Sequence, residues 1–300
     1  MPSNAPFIRN TQLLIGPLAE DQGGGPADEA LEIISDGSRS RLATSFNVTK
    51  TIYGAPNESS IRITNLAPNT RRRIQAGLTN VVLNVGYENT GLTPLLRGGI
   101  LRVIPRIELP DYVVEIVVME GFGGRYKGTT SRTFSGRMPV KDVVTTLGQD
   151  MPGVTVSPDL IRADGTLGSR GLSVSGPTKD ALDTLADGFG FSWSIQDGNL
   201  TALQDDQAYE EIIEISVERR NLISVSPNLA GTGQLAVGVD ITAVMDPRVR
   251  PGQQVELVTN ANPRLSGTYR IQTISFQGGT HQNDSIMQIN AATLQGLRRV

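Results

Sequence analysis

A glycine-rich segment is the first place where this sequence could bind a ligand. The segment from Gly121 to Gly128 (GFGGRYKG) superficially suggests a phosphate-binding loop, but it lacks the Gly-Lys-Ser/Thr of the Walker pattern. Extended Thr/Ser-rich sequence follows it, whereas an anion site would need a helix N-terminus there. The segment therefore favours a flexible hinge between domains over a phosphate site.

The single histidine is the second candidate for chemistry. His281 lies close to Asp284 and Ser285 in a polar segment between two predicted strands. A serine nucleophile needs a base held by an orienting acid, and neighbours in one loop seldom reach that geometry. A solvated hairpin loop is the better interpretation.

Carboxylate pairs could serve a hydrolase, since two acidic side chains suffice for glycoside hydrolysis. The adjacent acids at 205–206 and 210–211 stand in a polar linker and not in a recognisable catalytic context. We therefore predict that the protein has no catalytic residues and is not an enzyme.

Composition excludes most cofactor and metal chemistry. The sequence has no cysteine and one histidine, so thiolate nucleophiles, disulfides, zinc fingers and multi-histidine metal sites are excluded. We predict no cofactor and no metal. The formal net charge of −3 argues against docking of the whole chain onto nucleic acid or an anionic membrane.

Arginine dominates the basic residues and is clustered once. Only four lysines occur among the 27 basic residues, and Arg71, Arg72 and Arg73 are consecutive. No aromatic residue adjoins this run in the sequence, which argues against base stacking on RNA. Because arginine is enriched at protein interfaces, the helix predicted at 68–75 and the strand edges are our interface candidates.

Two short amphipathic helices in the middle of the chain look like copies. Val140, Val143, Val144 and Leu147 have helical spacing after Pro139, and the same design recurs after Pro177, with Gly188 as its predicted stop. A strand precedes and follows each helix. The pattern predicts two tandem β-α-β units over about 129–204; chance resemblance of two short helices is the alternative.

Alternating, β-branched segments predict strands on both sides of this region. They lie at 43–53, 59–66, 81–87, 95–107 and 112–120, then at 212–217, 235–244, 254–259, 268–277 and 285–291. Residues 98–103 (GGILRV) align with residues 266–271 (SGTYRI), and similar strands flank both. This echo predicts two related β-barrels or sandwiches, although any two β-hairpins share alternation.

The predicted fold class is therefore mostly β with a small α/β insert, in which two related β-barrel domains flank a tandem β-α-β domain. The predicted domains are a first barrel at 1–125, the α/β domain at 126–206 and a second barrel at 207–300. Residues 21–28 (DQGGGPAD) predict a surface loop. We expect no secretory signal and no membrane insertion, because the longest apolar run is far shorter than the roughly 20 residues that a spanning helix needs.

Several strand motifs resemble the central baseplate hub proteins of contractile-tailed bacteriophages (the tail hub or spike-base family). In the first barrel the matching pattern is Asn65-Leu66, Thr70-Arg71, a strand ending in Gly86-Tyr87, and Gly98 to Ile100. In the second, residues 246–257 (DPRVRPGQQVEL) and 267–271 (GTYRI) match. The resemblance covers about 41–118 and 221–292. The loop ending at His281 departs from the family, which often has a His-Gly-Asp-like turn there.

The resemblance implies a mechanical role. Such hubs are homotrimers whose two barrels per chain form a six-fold-like ring, since three chains supply six modules. The ring would join the hexameric tail tube, or a distal tube protein, to the trimeric central spike. It would contact the tape measure protein and the surrounding baseplate wedge proteins. Acidic or neutral residues in its lumen would let DNA pass without sequence-specific binding.

The resemblance also implies a location in the virion tail baseplate, assembled in the host bacterial cytoplasm. Two alternatives stay open from the sequence. One is a spike-base component of a contractile injection or secretion system, which has the same architecture. The other is a tail-associated peptidoglycan hydrolase, which would need a carboxylate pair or a nucleophile.

Overall fold

The computed structural model describes residues 9–16, 30–36, 42–75, 79–87, 91–228, 238–260, 262–280, 285–293 and 298–299. These residues are mostly β, as predicted. They form two compact units. The first draws on Met1–Val48, Glu58–Glu120 and Phe276–Ser285, and the second on Thr49–Asn57, Gly121–Ser275 and Ile286–Val300. The three domains predicted from the sequence stay a prediction.

The first unit is built from antiparallel strands and one helix. Its elements are β1 Arg9–Gly16, β2 Leu31–Asp36, β3 Thr44–Thr51 (which ends in the second unit), β4 Glu58–Thr64, α1 Pro68–Gln75, β5 Asn80–Tyr87, β6 Gly91–Glu108 and β7 Asp111–Met119. The strand order is β3-β4-β7-β6-β5-β1-β2. In β4, Ile61 and Ile63 are fully buried while Ser60 and Arg62 are partly exposed. This alternation places one face of the sheet on the core.

The middle of the chain contributes helices and short strands to the second unit. Its elements are α2 Phe122–Lys127, β8 Thr129–Phe134, α3 Val140–Gln149, β9 Thr155–Arg162, β10 Leu172–Pro177, α4 Thr178–Phe189, β11 Phe191–Gln196 and β12 Asn199–Gln204. Their shared core contains the apolar faces of α3 and α4 and the indole of Trp193.

The two amphipathic helices form where the sequence predicts them. Pro139 and Pro177 occupy the same N-cap position, with φ angles of −59° and −60°. Helix α4 continues through Gly188 and ends at Phe189, so the predicted stop at Gly188 is wrong. Gly190 ends the helix because it adopts a left-handed conformation (φ 67°), which glycine accepts without strain.

The tandem β-α-β arrangement is not confirmed by the strand pairing. Strand–helix–strand order does occur twice along the chain, as predicted. However, β8 pairs with β10 in an antiparallel two-stranded sheet, and β9 pairs in parallel with β12, which is antiparallel to β11. The strands on either side of each helix therefore do not pair with each other.

The hinge predicted at 121–128 is wrong, because residues 122–127 form helix α2. Gly121 is left-handed (φ 64°) at the start of this helix. Gly124 lets the helix pack closely, since a Cβ there would lie 2.4 Å from Cγ2 of Val154. Arg125 is buried, its guanidinium lies 4.7 Å from the Trp193 ring, and it donates to the Gly54 carbonyl. Glycine thus serves close packing here, not flexibility.

The second unit also contains a larger set of strands, which we call the sheet of that unit. Its elements are β13 Gln207–Ala208, β14 Ile212–Ser216, β15 Leu222–Asn228, β16 Gly238–Val244, β17 Gln254–Val258, a 3-10 helix Pro263–Leu265, β18 Gly267–Gly279 (whose end lies in the first unit), β19 Ile286–Thr293 and β20 Arg298–Arg299. The strand order is β15-β16-β19-β18-β17-β14, in which β17 and β14 are parallel, and β13 pairs with β20.

The two sheets share one strand order. In chain order, β3 to β7 of the first unit correspond to β15 to β19 of the second, and the spatial orders are β3-β4-β7-β6-β5 and β15-β16-β19-β18-β17. Of the aligned segments, residues 98–103 lie in β6, and residues 267–271 lie in the corresponding strand, β18. The internal echo in the sequence therefore reflects two sheets of the same topology. Within the described residues neither order closes into a barrel.

Candidate functional surfaces

Only some of the residues considered for catalysis belong to the described part of the chain. His281 and Asp284 lie outside the described residues, and Ser285 is buried. Asp205 is exposed and accepts a hydrogen bond from Ser192 Oγ at 2.8 Å. In the described part of the chain, no three His, Asp or Glu side chains are grouped so that they could hold a metal ion. That the protein is not an enzyme stays a prediction.

The arginine run lies on α1, as predicted. The Arg71 guanidinium stacks over the Tyr112 ring, 3.8 Å from its centre, and Arg72 donates to Asn69 Oδ1 at 2.6 Å. Ile74 anchors the helix in the core. No local pattern in the sequence points to this aromatic partner, because Tyr112 is about 40 residues away along the chain. The role of this helix as an interface stays a prediction.

One face of the second unit's sheet is polar and almost uncharged. Cross-strand partners share a face, so Ser224, Thr242 and Gln288 form one row across three strands. The adjacent row is Ser226, Asp240 and Asn290, in which Asn290 Nδ2 donates to Asp240 Oδ1 at 2.7 Å. We call these rows, with the neighbouring Thr273 and Ser275, the polar face.

The polar face is shallow and open. It bounds a groove of about 390 Å³ lined by all eight of these side chains. Thr49 and Ser275 share a hydrogen bond at 2.9 Å, so hydroxyl groups continue along the sheet. The opposite face carries the core residues Ile241, Ile274 and Ile289, all at most 1% exposed. Burial of that face leaves the polar face as the exposed side of the sheet.

The corresponding exposed face in the first unit is charged but balanced. Three arginine–glutamate pairs lie there: Arg62–Glu108 at 2.5 Å, Arg106–Glu115 at 2.9 Å and Arg102–Glu58 at 3.3 Å. The two formal charges of each pair cancel. Exposed pairs of this kind contribute little stability, roughly 0–1 kcal/mol each.

These two faces would bind a polyanion weakly. Nonspecific DNA affinity comes mainly from Lys and Arg side chains that neutralise phosphates. The polar face offers one carboxylate and no cation, and Arg62, Arg102 and Arg106 on the first unit's face already have carboxylate partners. In the sequence, the polar face is visible only as Ser, Thr, Asn and Gln at alternate strand positions. Which strands bring these residues onto one face cannot be read without the strand pairing.

Among the described helices, none combines the length and the apolar character required to cross a bilayer.

Comparison with solved structures shows the fold of phage tail proteins. The 43 kDa tail protein of prophage MuSo2 from Shewanella oneidensis superposes with a TM-score of 0.60 at 8% identity, covering 96% of this chain and 99% of that one. A tail protein from Neisseria meningitidis MC58 gives 0.61 at 10% identity, covering 94% and 96%. The E. coli c3393 protein gives 0.58 at 9% identity, covering 85% and 75%, and is described as a type VI secretion component similar to T4 tail proteins gp27 and gp5.

No curated protein sequence matches the chain significantly. The family model described as baseplate hub gp41 matches residues 31–291, which include most of both sheets and the helices between them. The resemblance stated from the strand motifs is therefore confirmed, and the chain belongs to the baseplate hub gp41 family, whose place is the phage tail baseplate.

Proposed function

We propose that this baseplate component is a homotrimeric, non-enzymatic adapter that joins the hexameric tail tube to the trimeric central spike. The observation that carries the proposal is the repeated strand order of the two sheets. Three copies of a chain with two equivalent modules supply six modules, which match six tube subunits on one side while three-fold symmetry matches a spike on the other. The tape measure and the wedge proteins are its further proposed partners, and assembly takes place in the host cytoplasm.

Native mass measurement of the purified protein tests the trimer. We expect a species of three times the 32.1 kDa chain mass, either alone or on addition of the spike protein. A stable dimer or tetramer with two-fold symmetry would contradict the proposal, because neither can present six equivalent modules in a closed ring.

We further propose that the polar face lines the DNA conduit. A face with hydroxyl and amide groups and a single carboxylate offers DNA no counter-charge, so the genome would slide past it. This proposal is distinct from the trimer and has its own test.

Lysines at Ser226, Gln288 and Asn290 should slow genome release from assembled particles. Each added cation that neutralises a phosphate makes the contact more favourable and salt-dependent, so we expect release to recover at high salt. The matched control places three lysines at Gln149, Thr155 and Thr184, which are exposed neutral positions on α3, β9 and α4, so both triple variants add the same charge. Equal release from both triple variants, measured by a DNA-dye ejection assay, would remove the polar face from the conduit.

A further inference from the structure

The two-stranded sheet β8–β10 has an open edge beside helix α4. Within the described residues, β10 pairs only with β8. A groove of about 490 Å³ runs between β10 and α4. Its walls combine the strand from Gly171 to Pro177 with the helix side chains listed here: Asp180, Ala181, Thr184, Leu185 and Phe189.

The hydrogen-bond register shows which backbone groups of β10 face this groove. Thr178 N–H donates to the Gly128 carbonyl at 3.0 Å. Because hydrogen-bonded and non-bonded positions alternate along an antiparallel strand, residues 176, 174 and 172 also bond to β8. Ser173 and Ser175 alternate with them, and their N–H and C=O groups point away from β8. Two contacts agree with this phase. Gly171 N–H donates to Gly168 and not to β8, and Thr133 Oγ1 lies 3.1 Å from Ser173 Oγ, as the closer side chains of a non-bonded pair allow.

This edge lacks the usual protection against strand pairing. Natural sheets block open edges with lysine, proline, bulges or inward charges. Ser173 and Ser175 are small and uncharged, and only the end of the strand is blocked, by Pro177 in the same edge-facing phase. The edge can form hydrogen bonds at Ser173 and Ser175 but not through an N–H at Pro177, so it can pair with a short strand.

The floor and rim of the groove define what that strand would carry. Leu172 and Val174 are half buried, and Leu185 lies below them in the core, so an apolar side chain can be accepted. The rim carries one carboxylate, that of Asp180, at the start of α4. The Asp180 carboxylate is 61% exposed, with Lys179 Nζ 3.9 Å away.

We propose that β10 and α4 form a docking site for an extended, basic peptide segment of another protein, which adds a third strand to the β8–β10 sheet. Main-chain bonds to Ser173 and Ser175 would supply affinity, and the apolar floor with Asp180 would supply selectivity. A second copy of this chain is disfavoured as the occupant, because pairing β10 with its own copy would bring two acidic α4 helices to one interface.

Peptide selection on the full-length protein identifies and tests such a ligand. Random peptides of about ten residues, displayed on filamentous phage, are panned against the purified chain, and the enriched sequences are synthesised for fluorescence anisotropy. We expect alternating apolar residues with Lys or Arg. Absence of enrichment, or enrichment of acidic peptides, would overturn the proposal.

Two proline variants separate edge pairing from general damage. Ser175→Pro removes an N–H that faces the groove, at a phase that already tolerates Pro177, and should weaken the selected peptides about tenfold or more. Ser131→Pro is the matched control, because Ser131 is the cross-strand partner of Ser175 and its N–H faces the outer edge of β8. Its binding should stay within about twofold of the unmodified chain. Equal losses in both variants would assign the effect to disturbed folding and overturn the docking site.

A charge variant and a mass measurement complete the test. Asp180→Lys should weaken basic peptides about fivefold or more at low salt, with a smaller effect at high salt. If sedimentation instead showed a dimer that Ser175→Pro dissociates, the edge would belong to self-pairing and the peptide proposal would fail. The hub proposal is judged separately: a trimer that binds no peptide refutes only the docking site. A chain that binds peptide but stays monomeric even with the spike protein present refutes only the hub.

Discussion

Replacing Asp197 by alanine is expected to lower the free energy of unfolding by about 3–5 kcal/mol, the range observed when one partner of a buried ion pair is removed. Asp197 Oδ1 lies 2.5 Å from Lys50 Nζ, and Oδ2 lies 2.6 Å from Arg250 Nε. The Lys50 side chain is fully buried, with 0% exposure. Without the carboxylate, a desolvated ammonium would lose the anion beside it.

The backbone conformation of the turn also favours an aspartate at position 197. Asp197 (φ 52°) and Gly198 (φ 82°) are both left-handed and make the turn between β11 and β12. Asp and Asn accept this conformation better than alanine does. The turn therefore presents the carboxylate to both cations, and it connects three segments that are far apart in sequence.

Two control variants separate the loss of the charge from the effect on the turn. Asp197→Asn keeps the turn preference and the shape while removing the charge, so it should lose most of the same stability. Asp205→Ala removes an exposed carboxylate and should cost less than about 1 kcal/mol. Urea unfolding followed by circular dichroism measures all three. A loss below about 1 kcal/mol for Asp197→Ala would show that Lys50 is stabilised by other contacts.

This ion network shows why only part of the fold could be predicted. Local signals were enough for elements: Pro68 and the following polar run gave α1 its observed bounds, and Pro139 and Pro177 marked the starts of α3 and α4. Lys50 and Asp197 are 147 residues apart, and no local pattern in the sequence joins them. Long-range contacts of this kind are fixed by strand pairing, which hydrophobic alternation does not specify.

The errors have the same origin. Residues 121–128 have the composition of a hinge, but Gly124 is there for close packing against Val154, a contact made only after folding. For the candidate surface, the alternating polar residues of each strand were visible in the sequence. That these residues share one face follows only from the strand order β15-β16-β19-β18.

Replacing Arg270 by methionine should cost about 3–5 kcal/mol, because three buried acceptors would lose a charged donor. Arg270 is 6% exposed, and its Nη1 lies 3.2, 2.9 and 3.1 Å from the carbonyl oxygens of Gln204, Asp205 and Gln207. Burial lowers the pKa of the Arg270 guanidinium, which nevertheless stays charged because arginine titrates far above neutral pH. One side chain thus holds the turn after β12 against β18.

The internal duplication supplies a matched control for this prediction. Arg102 aligns with Arg270 in the repeated segment, but its side chain is 55% exposed and its glutamate partner, Glu58, is 3.3 Å away. Arg102→Met should therefore cost less than about 1 kcal/mol, as exposed ion pairs do. Arg270→Lys should fall between the two, because a single ammonium cannot reproduce the planar guanidinium geometry. Equal losses for the two methionine variants, measured by urea unfolding, would mean that the buried carbonyl contacts add nothing. Unequal losses would show that Arg270 stabilises the second unit through these contacts, whereas the aligned Arg102 adds little to the first.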